Sequence, residues 1–74
     1  MTKVELGIKL KTMYDNAAKG EKVTMILLFG IQYGEVIREN NYSFKEIAEN
    51  AQISEKYGTE INKGANLSKY VKVK

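Results

Sequence analysis

The sequence predicts an all-α fold, a compact domain of four helices with a short extended C-terminal arm or edge strand. Three observations lead there: two capping boxes, apolar residues recurring at helical spacing behind them, and Gly and Asn turn signals in a chain without Pro. The chain has 74 residues, enough for one hydrophobic core, so residues 1–74 are read as a single domain.

Thr2 and Glu5 form the first capping box, T-K-V-E, and Leu6, Leu10, Met13, Tyr14 and Ala17 then fall on one stripe. The first helix is predicted over about residues 3–18, with Gly20 in the loop behind it. Residues 23–38 carry apolar side chains almost all the way round a helix, which marks a central, buried element over about 22–39. Gly30 and Gly34, four apart on one face, suit close approach of another helix of the same chain. Asn40 and Asn41 end that element as turn residues. Ser43 and Glu46 open a second capping box, S-F-K-E, before a short helix over about 44–51 whose inner face is Phe44, Ile47, Ala48 and Ala51. Ser54 is a good N-cap for a fourth helix over about 55–63, with Gly64 as its stop. The arm, residues 65–74, ends in alternating Y-V-K-V-K.

Composition narrows the function. With no Cys and no His, the chain lacks thiolate and imidazole ligands, a thiol nucleophile and the usual general base near neutral pH. A non-enzymatic protein without a cofactor is therefore expected. Glu46 and Glu49 share a helix side, but no third ligand accompanies them, and capping and solvation account for both. The longest apolar run, residues 25–29, is too short for a membrane span, and no basic-then-apolar leader opens the chain. Absence of a disulfide framework adds to the expectation of a cytoplasmic protein. The net charge of +3 permits a nucleic-acid partner without requiring one.

Two short helices with a tight turn between them carry the functional reading. Ala48 and Ala51 are small where the helices cross, Ile53 seals the turn, and Ile61 packs the second helix inward. Residues 43–64 thus read as a helix-turn-helix, and S-F-K-E-I-A-E-N-A-Q-I-S-E-K-Y-G-T-E-I-N-K-G resembles that of phage-repressor-type transcription regulators, over 22 of the 74 residues. The whole chain, through G-E-K-V-T-M-I-L-L-F-G-I and K-G-A-N-L-S-K-Y-V, also resembles a group of short bacterial helix-turn-helix-like proteins. Two positions depart from the pattern: Gln52 stands where Gly is preferred at the turn, and Gly58 where a β-branched residue is preferred. The second departure implies a lost core side chain, with Tyr57 filling part of the gap.

The resemblance implies duplex DNA as partner and a role in transcription regulation or DNA targeting. On that reading Ser54 and Lys63 meet phosphates, while Glu55, Lys56, Thr59 and Glu60 face bases. Lys69 and Lys72 of the arm, together with lysines near the first helix, grip the backbone. A module this small implies a homodimer or a larger protein partner. Within residues 43–64, three Lys against four Glu leave a net charge of −1, less basic than a typical recognition surface. That balance keeps an alternative open, a helix-turn-helix scaffold for protein–protein interaction, with the lysines as solvated positions. Tyr14 and Tyr70 are read as core.

Overall fold

Thr2 and Ser43 each start a helix by the reciprocal arrangement their sequences specify. In a computed structural model of all 74 residues, the Thr2 hydroxyl accepts from the Glu5 amide at 3.1 Å while Glu5 accepts from the Thr2 amide at 2.8 Å. Ser43 and Glu46 repeat this at the third helix. The elements are α1 (Lys3–Asp15), α2 (Lys22–Glu39), α3 (Phe44–Asn50), a 3₁₀ turn (Glu55–Tyr57) and α4 (Gly58–Leu67). No helix is long and apolar enough to cross a membrane.

Two helices differ in their bounds from the sequence reading. The first helix stops at Asp15 rather than residue 18, because Asn16 takes the C-cap and the Lys22 ammonium reaches back to the Tyr14 carbonyl at 3.0 Å. Gly20, at φ 82°, bends the connection further on. The fourth helix begins as a 3₁₀ turn and runs past Gly64 to Leu67. Residues 68–70 form a turn, and the last four residues are irregular, so the alternating Y-V-K-V-K segment makes no strand.

The core draws on every helix. Leu6 and Leu10 of α1, Ile26, Phe29 and Ile37 of α2, Ile47 and Ala48 of α3 and Ile61 of α4 are fully buried. The helices close a ring: α2 packs on α1 and α4, and α3 completes it against the same two. Its radius of gyration, 10.8 Å, is close to the roughly 11 Å of a compact chain of this length.

Glycines set the closest contact in this ring. A Cβ on Gly30 would collide with the Ile61 carbonyl, one on Gly34 with Ala65, and one on Gly64 with the Leu27 carbonyl. The small-residue face of α2 therefore meets α4 within the same chain, and Gly64 is an interior contact residue instead of a helix stop. Tyr14 is half-buried against the core, as read from the sequence. Tyr70 is the opposite: it lies beyond α4 at 82% exposure and belongs to no core.

Candidate nucleic-acid interface

A helix leaves its last carbonyls without intrahelical donors, and both helix ends that flank α3 solve this alike. After α2, Asn41 adopts φ 57° and the Tyr42 amide bonds back to the Ile37 carbonyl at 3.0 Å. After α3, Gln52 adopts φ 61°, its amide bonds to the Glu49 carbonyl at 3.0 Å, and the Ile53 amide reaches the Ala48 carbonyl at 3.2 Å. This is the Schellman arrangement, achieved at both places without glycine. Gln52 therefore makes the tight turn although it stands where Gly is preferred.

The turn delivers α4 across α3 at a fixed position. Ala48 and Ala51 are buried where the two segments meet, Ile53 is half-buried against the core, and Ile61 is fully buried. Gly58 has a specific use. A Cβ there would stand 3.1 Å from the Lys45 nitrogen and 3.3 Å from the Phe44 carbonyl carbon, so the glycine brings the start of α4 against the start of α3. The reading of Gly58 as a missing core side chain is thereby corrected: backbone occupies that space. Tyr57 packs half-buried beside it, its ring 6.0 Å from that of Tyr14.

With Gly58, Ile61, Gly64 and Ala65 turned inward, the remaining side of α4 is free. Thr59, Asn62 and Asn66 follow one edge of that side, and Glu60, Lys63 and Leu67 the other. All but half-buried Glu60 are exposed. Lys56 is exposed at the preceding 3₁₀ turn and makes no ion pair. Ser54 caps that turn, its hydroxyl accepting from the Lys56 amide at 3.3 Å. An open cleft between α3 and α4 is lined by Ser43, Lys45, Glu55, Thr59 and Asn62.

The acidic residues of this region are mostly paired. Glu55 lies 3.6 Å from Lys45, Glu60 lies 3.4 Å from Lys63, and Glu46 lies 2.7 Å from Lys3 of α1. The Lys3 ammonium, with the Ser43 amide, holds the Glu46 carboxyl below its ordinary pKa, and Glu46 raises that of Lys3 in turn. Exposed pairs of this kind add little to stability, but they offset the negative charge of the segment locally.

Of the eight residues singled out in the sequence, Ser54, Glu55, Lys56, Thr59, Glu60 and Lys63 come together along the 3₁₀ turn and α4. Lys69 and Lys72 do not join them. Lys69 is exposed in the turn after α4, and Lys72 lines a separate cleft with Ile31, Gln32 and Glu35 of α2. Four polar residues of the surface were missed: Arg38, Lys45, Asn62 and Asn66. Arg38, from the last turn of α2, donates from one Nη2 to the side-chain oxygens of Asn62, at 2.9 Å, and Asn66, at 2.7 Å. The spacing of the two asparagines was visible as i and i+4, but only the packing of α2 on α4 brings the arginine to them.

No curated protein and no solved structure matches the chain. A family model described as an HTH-like domain matches residues 2–74, a span that takes in all four helices and the turn at Gln52. The chain belongs to the HTH-like domain family.

Proposed function

We propose that this chain binds duplex DNA through the exposed side of α4 and the 3₁₀ turn before it, as a transcription regulator or DNA-targeting accessory of the phage-repressor kind. One observation carries the reading. Ala48, Ile53 and Ile61 fix α4 across α3 while Lys56, Thr59, Asn62, Lys63 and Asn66 stay exposed on its outer side. Those side chains supply cationic and neutral hydrogen-bonding groups of the types that contact phosphates and base edges. Binding rather than catalysis is part of the proposal, since the sequence offers neither Cys nor His as nucleophile or base.

A titration of a fluorescently labelled random-sequence duplex at low and then moderate salt tests the reading. Affinity should fall steeply with ionic strength, since lysines that neutralise phosphates release counterions. Amide shifts on adding the duplex should centre on residues 54–66. Failure to bind at the lowest salt would remove DNA as the partner.

A second reading, a scaffold that docks another protein, has one observation in its favour. Leu27, Leu67 and the 82%-exposed Tyr70 form an apolar edge beside Glu60 and Lys63. Under that reading, DNA leaves the amide spectrum unchanged.

A further inference from the structure

Arg38 is the single arginine of the chain, and its guanidinium sits where three helices meet. It extends from the last turn of α2, lies 5.5 Å from the centre of the Phe44 ring at the start of α3, and bonds Asn62 and Asn66 on α4. A guanidinium carries donors and no acceptor, so the carboxamide atom facing it must be the oxygen on both asparagines. The two Nδ2 groups face elsewhere, and neither finds an acceptor in the protein. Both side chains are exposed, one helical turn apart, on the same edge of α4 as Thr59.

This arrangement changes what the asparagines can read. A free asparagine pairs with adenine by donating to N7 and accepting from the N6 amino group. Here one lone pair of each oxygen is committed to a cation, which also draws electron density from the amide and makes its N–H groups stronger donors. Each oxygen keeps a second lone pair, but polarised by the cation it accepts more weakly, so the favoured contacts run from Nδ2 to acceptor-rich edges, chiefly N7 and O6 of guanine.

We propose that Arg38 is a positioning residue of the DNA-binding surface, and that it fixes Asn62 and Asn66 so that their Nδ2 donors read guanine edges. The inference rests on the DNA reading above and adds to it the specificity-determining pair and the base preference. Phosphate oxygens offer the same acceptor chemistry, so the test must separate base reading from backbone contact.

Selection of binding sites from a pool of randomised duplexes does so, with wild type compared against Asn62→Ala, Asn66→Ala, Arg38→Met and Arg38→Lys. Wild type should enrich guanine at one or more positions. Asn62→Ala or Asn66→Ala should abolish that enrichment and weaken the selected site by about tenfold, as loss of a specific base contact does, with far less effect on random DNA. Arg38→Met should relax the guanine positions to mixed purine, and Arg38→Lys, which keeps a cationic donor, should restore the preference in part. Helix content by circular dichroism should stay unchanged in all four, because every altered side chain is exposed.

Identical selected sites and affinities for the asparagine variants and wild type would overturn the proposal while DNA binding stands. An equal loss on all sequences would place the donors on phosphates and likewise overturn base reading. Absence of any duplex binding by wild type at the lowest salt would instead defeat the DNA reading and this inference with it.

Discussion

Gln52 holds φ at 61°, a conformation that brings its Cβ too close to a carbonyl oxygen and costs an L-residue about 1–2 kcal/mol. Because the two hydrogen bonds that close the turn come from backbone amides, glycine can make them as well. Gln52→Gly should therefore stabilise the domain by about 1 kcal/mol and raise Tm by roughly 4–8 °C in a thermal melt. Asn41, at φ 57°, gains less from the same change, since asparagine tolerates the left-handed region better. Glu46 supplies a second prediction at this scale. Its carboxyl is held below the ordinary 4.5 by Lys3 and the Ser43 amide, so its stabilising effect is present above that value. The effect is lost as pH falls through the lowered folded-state value. Urea midpoints measured at about pH 6 and about pH 3 should drop for wild type, and Glu46→Gln should narrow the difference.

Between elements, the decisive contact is the glycine face shared by α2 and α4. A methyl group on Gly64 would strike the Leu27 carbonyl and stand 2.8 Å from the Gly30 Cα, all of it backbone that a rotamer change cannot relieve. Gly64→Ala should thus destabilise the domain by about 1–3 kcal/mol, even though alanine is the better helix former, and a denaturant titration measures the loss. A neutral or stabilising result would mean the helices do not cross there. The same glycine shows what local sequence conveys. Capping boxes fixed the starts of α1 and α3, and apolar spacing placed α2, because hydroxyl, carboxylate and spacing act within one turn. A glycine near a helix end reads equally as a stop or as a contact, and only the matching Gly30, 34 residues earlier in the chain and packed against it, decides which. The early end of α1 was hidden for a related reason, since Lys22, from the next helix, satisfies the Tyr14 carbonyl.

At the scale of the molecule, charge distribution separates two kinds of lysine. That the six candidate residues Ser54, Glu55, Lys56, Thr59, Glu60 and Lys63 lie together along the 3₁₀ turn and α4 was legible, because a helix-turn-helix fixes which positions its second helix leaves outside. Arg38 and Lys45 were not, since each belongs to another helix and reaches the surface only through tertiary packing. Lys56 stands unpaired at the start of that surface, whereas Lys72 lies in the tail beside α2, apart from α4. If α4 enters a groove, Lys56 approaches base edges and Lys72 can contribute only to the general field around the backbone. Lys56→Ala should then cost about 1–3 kcal/mol on a selected site and relax its sequence preference. Lys72→Ala should weaken all duplexes alike and reduce the slope of log affinity against log salt by about one, the change due to one lost phosphate contact. Both variants alter exposed side chains, so differences in folding do not enter the comparison. Anisotropy titrations at three salt concentrations, on a selected and a scrambled duplex, resolve the two effects. Interchanged behaviour, with Lys72 governing sequence preference, would place the DNA against the tail and α2 instead of α4.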